Sequence, residues 1–259
     1  MMQNIIDVAE RAARKAGKYA LSRADSLKEV EYKGAVNNLV TDVDKACEKM
    51  IIDEVSSAFP AHSILAEEGG EGGDDSESLW IIDPLDGTTN YAHGFPFYAV
   101  SIAYVHKGEV LAGVAYIPSR DEMFTAVKGK GACLNGDPMR VSSVPDLEHS
   151  LIATGFAYSK QGKGESVKYF GRILEKAQAV RRPGAAVLDL CYVACGRFDG
   201  FWEMGLNPWD VAAGQLMIKE AGGKVTMMEG QELDIYGKNI VATNGVIHEE
   251  LLNALKNSD

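Results

Sequence analysis

The sequence lacks the features that mark a secreted or membrane-spanning protein. Its four cysteines show no Cys-x-x-Cys spacing, which disfavours a disulfide framework and fits a reducing compartment. No apolar run approaches the ~20 residues that a membrane helix needs, and the first residues lack the apolar segment of a signal peptide. We therefore expect a cytoplasmic protein without a membrane partner.

Positive charge is also scarce. The chain has 26 Lys and Arg against 37 Asp and Glu, for a formal net charge of −11. Because broad nucleic-acid binding needs a basic surface, we expect no nucleic-acid partner. The same negative charge repels an anionic substrate unless bound cations reverse the local sign. A phosphorylated substrate would therefore require a metal ion.

Several common catalytic motifs are missing. There is no Gly-x-Ser-x-Gly elbow, no complete Walker loop and no Rossmann glycine pattern, which disfavours a serine hydrolase or a dinucleotide enzyme. None of the five histidines has metal-ligand spacing to another, so a zinc site is not indicated either.

The most informative stretch is residues 80–90, Trp-Ile-Ile-Asp-Pro-Leu-Asp-Gly-Thr-Thr-Asn. It begins as an apolar strand that breaks at Pro84 and resumes with residue types that open a helix or a tight anion-binding turn. Asp83 and Asp86 offer carboxylate oxygens to a hard cation, and the amides that follow Asp86 offer donors to a phosphate. The pattern indicates metal-assisted phosphoryl chemistry, and the alternative is an Asp-rich surface turn.

Three further carboxylates stand at the ends of predicted elements. Glu67 closes a short apolar strand, but it also begins an acidic, Gly-rich stretch over residues 69–78 that reads as a mobile surface loop. Asp44 precedes one amphipathic helix and Asp210 precedes another. For both aspartates, helix capping alone is an alternative to a role in a site.

The order of elements predicts a mixed α+β and α/β architecture. A first amphipathic helix over residues 3–23 is followed by a strand-rich segment and then by alternating strands and helices. A break in the pattern at residues 142–148 suggests a boundary. We predict an N-terminal α+β metal-site domain over 1–146 and a C-terminal α/β domain over 147–259, joined as one compact unit with the site between them.

Three strings resemble the signatures of the inositol monophosphatase family: residues 67–68 (Glu-Glu), 83–90 (Asp-Pro-Leu-Asp-Gly-Thr-Thr-Asn) and 209–214 (Trp-Asp-Val-Ala-Ala-Gly). The resemblance covers nearly the whole chain in order. It implies a layered αβαβα sugar-phosphatase fold, a homodimer, and lithium-sensitive hydrolysis of a phosphate monoester that depends on two or three Mg²⁺ ions per site.

The resemblance also implies a role for each matching residue. The metal ligands would be Glu67, Asp83, Asp86, Asp210 and the carbonyl of Leu85. The attacking water would be oriented or deprotonated by Glu67, Thr88 and Asp44. The substrate would be held by the amides of Gly87 and Thr88 and by Glu203, and Lys33 would lie in a loop that closes over the site.

The expected reaction converts inositol 1-phosphate to myo-inositol and phosphate. A first alternative is a fructose-1,6-bisphosphatase or a broad sugar phosphatase, in which Arg181 or Arg182 contacts a second phosphate; the competing interpretation is that both arginines are surface or interface residues. A second alternative, from another class, is a non-catalytic interaction protein that keeps the fold. The intact set of carboxylates argues against this second alternative.

Overall fold

The computed structural model describes residues 2–24, 30–32, 39–73, 75–156 and 160–256. These residues form seven α-helices and fifteen β-strands. Within these ranges, no helix combines the length and the apolarity that crossing a membrane requires.

The helices and strands are numbered separately along the chain. The helices are α1 Met2–Arg23, α2 Asp42–Ala58, α3 Thr88–Ala92, α4 Lys160–Leu174, α5 Ala186–Ala194, α6 Pro208–Glu220 and α7 His248–Lys256. The strands are β1 Val30–Tyr32, β2 Leu39–Thr41, β3 His62–Ala66, β4 Gly70–Gly72, β5 Asp75–Asp86, β6 Ala99–His106, β7 Glu109–Ile117, β8 Glu122–Val127, β9 Gly131–Leu134, β10 Asp137–Pro138, β11 Leu151–Thr154, β12 Ala179–Arg181, β13 Gly200–Met204, β14 Lys224–Thr226 and β15 Asn239–Thr243.

Two mixed sheets and three helical layers build the molecule. The larger sheet has eight strands in the order β10-β9-β8-β7-β6-β5-β3-β4, and the smaller has five in the order β12-β11-β13-β15-β14. Helices α1 and α2 cover the outer face of the larger sheet, α5 and α6 lie between the sheets, and α4 and α7 cover the outer face of the smaller sheet. The predicted αβαβα layering is confirmed.

The apolar core follows these layers. Along β5, Trp80 and Ile82 face α1 and α2, while Ile81 faces the layer of α5 and α6. Successive side chains of a strand point to opposite faces, so a strand that is covered on both sides reads as a continuous apolar run. A third apolar cluster fills the space between the smaller sheet and the helices α4 and α7.

Two local expectations are wrong. Strand β5 does not end at Pro84 but continues to Asp86, with an irregular register between Asp83 and Asp86. Pro84 is tolerated because a bulge leaves its position outside the regular ladder. In the stretch read as a surface loop, residues 70–72 form β4 and residues 75–78 begin β5. Backbone pairing at this edge does not require apolar side chains.

The helix caps also differ from expectation. Thr41, not Asp44, is the N-cap of α2, and Asn207, not Asp210, is the N-cap of α6. In each helix the aspartate lies three residues later and accepts a hydrogen bond from the backbone N–H of the cap residue. This reciprocal arrangement leaves a second carboxylate oxygen for other contacts.

The proposed two-domain division stays a prediction. All strands of the larger sheet come from residues before 139, those of the smaller sheet come from residues after 150, and residues 139–150 contain neither helix nor strand.

Candidate active site

Three aspartates meet in one pocket between the two sheets. One carboxylate oxygen from each of Asp83, Asp86 and Asp210 lies within 4.8 Å of the other two. Asp83 and Asp86 stand at the end of β5, and Asp210 stands in the first turn of α6. Among the described residues, this is the one group of three or more potential side-chain ligands at such distances.

Backbone N–H groups orient these carboxylates. The N–H of Leu85 donates to Asp83 Oδ1 at 2.9 Å, that of Val187 to Asp86 Oδ2 at 2.7 Å, and that of Asn207 to Asp210 Oδ2 at 2.7 Å. The donors come from β5, from the first turn of α5 and from the cap of α6. Each carboxylate is thus held in place by a backbone donor.

Burial and mutual repulsion disfavour the charged forms of this cluster. Burial raises the pKa of Asp83 well above its usual range, and the nearby Glu67 and Asp86 raise it further. Burial raises the pKa of Asp86 to about 7, against the lowering effect of the N–H of Val187. Burial also raises the pKa of Asp210, with Asp86 as the next cause. Without a cation, the folded protein therefore opposes full ionisation of the cluster.

The donor set fits a hard divalent cation. Such ions bind carboxylate, carbonyl and water oxygens, and a bound positive charge removes the repulsion that raises these pKa values. Glu67, which follows β3, and Leu85 line the same pocket as the three aspartates. The five groups expected to hold metal are therefore brought together.

Thr88 connects this pocket to a buried carboxylate below it. Its Oγ1 lies 2.8 Å from Asp44 Oδ1 and 3.1 Å from the carbonyl oxygen of Leu85, and either can accept its proton. Asp44 has no exposed surface, and its other oxygen accepts hydrogen bonds from the backbone N–H and the hydroxyl of Thr41. Burial raises the pKa of Asp44, whereas the hydroxyls of Thr41 and Thr88 lower it.

Gly87 makes the turn between β5 and α3. Its φ of 94° lies in the left-handed region, which a residue with a side chain seldom adopts. Behind this turn, Asn90 Nδ2 donates to the carbonyl oxygens of Phe97 at 2.8 Å and Pro183 at 2.9 Å. Asn90 therefore ties the turn to the segment before α5.

Glu203 and Arg182 line the same pocket as the three aspartates. Burial raises the pKa of Glu203 to about 8, while the charge of Arg182 lowers it. Arg182 is the only positively charged side chain of the Lys or Arg type among the described residues that line this pocket. Both arginines are exposed, but Arg181 does not line this pocket and donates to the carbonyl oxygen of Val180, so only Arg182 of the two candidates reaches the pocket. Lys33 lies outside the described residues.

Sequence reasoning did not single out two residues that contact the site residues. Glu48 accepts a hydrogen bond from the backbone N–H of Glu68, next to Glu67, and Gly155 leaves room for the carboxylate of Glu203. The spacing of Glu48 four residues after Asp44, on one side of a helix, was a usable signal. No local sequence pattern indicated Gly155, because Glu203, the residue it contacts, is 48 residues away.

Comparisons with known proteins agree with this fold. The model described as the inositol monophosphatase family matches residues 1–259. The chain is 44% identical to Nus factor SuhB of Escherichia coli, covering 98% of this chain and 100% of the relative. It is 42% identical to an inositol-1-monophosphatase of Synechocystis, covering 98% and 89%. A crystal structure of the extragenic suppressor protein SuhB of Bartonella henselae has a TM-score of 0.94 at 43% identity, covering 98% and 99%.

The chain belongs to the inositol monophosphatase family. This membership and the names of its relatives support a phosphatase, in a family that is generally metal-dependent. The acidic cluster described above is a group of residues that could bind such a metal.

Proposed function

We propose that the protein is a Mg²⁺-dependent phosphomonoesterase that converts inositol 1-phosphate to myo-inositol and phosphate. One observation carries the proposal: the three aspartates converge within 4.8 Å in the pocket that also contains Thr88 and Glu203. One cavity would then contain a cation site, the hydroxyl of Thr88 with its link to the buried Asp44, and Glu203, which would hydrogen-bond to substrate hydroxyl groups.

Glu67, Asp83, Asp86, Asp210 and the carbonyl of Leu85 would hold two or three Mg²⁺ ions. When bound, these ions supply positive charge that lowers the pKa of a nearby water and offsets charge on the leaving oxygen. The backbone donors to the three aspartates keep their carboxylates in place. Protein positioning and charge, rather than a covalent nucleophile, then account for the chemistry.

Thr88 and Asp44 provide a path for the proton of the attacking water. Thr88 Oγ1 can accept a hydrogen bond from the water while it donates its own proton to Asp44 Oδ1, 2.8 Å away. The raised pKa of Asp44 favours the protonated carboxyl that such a transfer forms. Glu67 would orient the same water, and the amides of Gly87 and Thr88 would hold the phosphate.

Phosphate release from three substrates tests this proposal: inositol 1-phosphate, fructose 1,6-bisphosphate and a 2′- or 3′-phosphorylated nucleotide, each with saturating Mg²⁺ and with or without Li⁺. We expect preferential, Mg²⁺-dependent hydrolysis of the inositol ester that Li⁺ inhibits. Calorimetric titration with Mg²⁺ is a second readout. No metal-dependent release from any ester would refute the assignment.

A broader sugar-phosphate specificity is the second candidate, and the position of Arg182 favours it. A guanidinium that lines the same pocket as the aspartates can bind a second phosphate in bidentate fashion. Comparable turnover of fructose 1,6-bisphosphate, reduced at least tenfold by Arg182→Ala but unchanged for inositol 1-phosphate, would support this candidate over the first.

We also propose that the protein acts as a cytoplasmic homodimer, an expectation that rests on the family resemblance. Sedimentation measurements on the full chain test the dimer. The name Nus factor belongs to the Escherichia coli relative and is not carried over to this chain. A purely non-catalytic role here would predict no turnover despite an intact carboxylate cluster.

A further inference from the structure

Gly155 lies directly against the carboxylate of Glu203. It follows β11, whose last residue, Thr154, pairs with Trp202 of β13. Residue 155 is therefore level with Glu203 on the neighbouring parallel strand. Side chains at level positions of adjacent strands project to the same face.

The space at Gly155 is already filled by Glu203. A Cβ built on Gly155 would lie 2.0 Å from Oε1, 2.1 Å from Cδ and 2.1 Å from Oε2 of Glu203. The backbone does not explain the glycine, since Gly155 is not among the glycines with positive φ. What the position requires is the absence of a side chain.

We propose that Gly155 is a specificity-determining residue, because it sets the position at which the Glu203 carboxylate receives the hydroxyl groups of a polyol phosphate. This inference rests on the proposed phosphatase function and concerns the alcohol half of the substrate. Gly155 acts through Glu203 and is a positioning residue, not a catalytic one.

The geometry supports this role because the carboxylate is the flexible end of a long side chain. An alanine at 155 would displace that end without forcing the two strands apart. The displaced carboxylate would lose its alignment with substrate hydroxyls, whereas the three aspartates and Thr88 would keep theirs. The change should therefore affect substrates with hydroxyl groups beside the ester and spare substrates without them.

The test compares Gly155→Ala with the unmodified protein on two substrates, inositol 1-phosphate and p-nitrophenyl phosphate. Loss of the hydrogen bonds between Glu203 and the substrate hydroxyl groups should lower kcat/KM for the inositol ester by about ten- to a hundredfold, mainly through KM. Hydrolysis of the aryl ester, which has no hydroxyl groups, should change by less than about twofold, since both substrates use the same reaction centre. Equal losses on both substrates would overturn the proposal.

A double-mutant cycle identifies Glu203 as the intermediary. In the Glu203→Ala background, Gly155→Ala should cause no further loss, because the two changes remove the same contact. An additional loss there would contradict the proposal. Gly171→Ala on α4 is the matched control, since a Cβ at Gly171 meets no atom within 4 Å.

Thermal melting covers the case in which Gly155→Ala does not fold. If the double variant Gly155→Ala/Glu203→Ala folds, the clash is with the carboxylate, as proposed. If the double variant also fails to fold, Gly155 has another role and the proposal is wrong. Absence of phosphate release by the unmodified protein would instead disprove the underlying function, which makes the two failures distinguishable.

Discussion

At the scale of single residues, Asp83 concentrates the electrostatic conflict of the site. Its side chain is almost fully buried, and Glu67, Asp86 and Asp210 all raise its pKa. A neutral amide at this position would remove repulsion in the cation-free protein while it weakens cation binding. Stability and activity should therefore move in opposite directions.

For Asp83→Asn we expect turnover to fall by about a thousandfold or more, because a carboxylate ligand is lost. The melting temperature without Mg²⁺ should rise by about 2–4 °C as repulsion is relieved. Added Mg²⁺ should stabilise the variant far less than the unmodified protein. Asp137→Asn, at an exposed position of β10, is the control for loss of one negative charge. Unchanged turnover in Asp83→Asn would rule out this site.

Thr88 supplies a second residue-scale prediction. Thr88→Val keeps the shape of the side chain but removes the hydroxyl that lies 2.8 Å from Asp44. We expect kcat to fall by about a hundredfold or more, since proton transfer typically contributes that much. Thr88→Ser keeps a hydroxyl and should stay within about tenfold. Steady-state kinetics at saturating Mg²⁺ measures kcat of both variants. Equal activity of the valine and serine variants would exclude the proton path.

Residue types and order along the chain were enough to select Asp83 and Asp86, because they stand where an apolar strand ends, whereas the family resemblance was needed to select Asp44 and Asp210. Their alternative, helix capping, also holds in part: Asp44 and Asp210 complete capping boxes and face the site as well. Glu48 shares a helix face with Asp44, which was a usable signal, but its contact with Glu68 was not predictable, and Gly155 escaped prediction because its importance depends on a contact with the distant Glu203. A local pattern cannot encode such contacts.

At the scale of elements, α2 supports the site at two levels. Asp44 in its first turn contacts Thr88, and Glu48 one turn later contacts the segment that carries Glu67. Glu48 Oε2 accepts from the N–H of Glu68 at 2.8 Å, and a Cβ at Gly69 would lie 2.8 Å from Glu48 Oε1. The helix therefore fixes both the Thr88 side and the Glu67 side of the pocket.

For Glu48→Ala we expect Mg²⁺ affinity to fall by about ten- to a hundredfold, the usual effect of losing a group that orients a ligand. Glu48→Gln keeps an acceptor oxygen for the N–H of Glu68 and should lose only a few-fold. Calorimetric titration measures both variants. Unchanged affinity in Glu48→Ala would show that the turn is held without Glu48.

Element boundaries show where sequence patterns are insufficient. Helix α1 was predicted over residues 3–23 and spans Met2–Arg23, because its apolar stripe is regular. The end of β5 was placed at Pro84, yet its pairing with β6 resumes at Asp86. The pairing of neighbouring strands decides where a strand ends, and that pairing is a tertiary property.

At the scale of the whole molecule, two sets of groups couple stability to pH in opposite directions. The pKa of Asp86 is raised to about 7 and that of Glu203 to about 8, chiefly by burial. Raised carboxyl pKa values mean that the folded state holds protons that the unfolded state has released. Their stabilising effect is full below about pH 4, declines progressively as the pH rises above 4, and is lost once the pH passes about 7 for Asp86 and about 8 for Glu203.

His248 acts in the other direction. It is buried between Thr226 and Thr243, each with a hydroxyl oxygen 2.9 Å from a ring nitrogen, and burial lowers its pKa to about 4. Above about pH 6.5 the ring is neutral in both states and does not affect the equilibrium. As the pH falls from 6.5 to 4, the imidazole binds a proton in the unfolded state but not in the folded state. This difference lowers the free energy of unfolding by about 2 kcal/mol.

Both effects act over the same range from about pH 4 to 6.5, where two carboxyl groups oppose one imidazole. We therefore expect the melting temperature of the cation-free protein to fall as the pH rises from about 4 to 8. Saturating Mg²⁺ should remove this decline, because bound positive charge stabilises the ionised carboxylates. His248→Gln should steepen the decline between pH 4 and 6.5, since an amide does not titrate, and leave the Mg²⁺ effect intact. Melting curves from pH 4 to 9, with and without Mg²⁺, test both effects. A Mg²⁺ stabilisation that does not grow with pH would contradict a carboxylate site, whereas an unchanged slope below pH 6.5 in His248→Gln would contradict the role of His248.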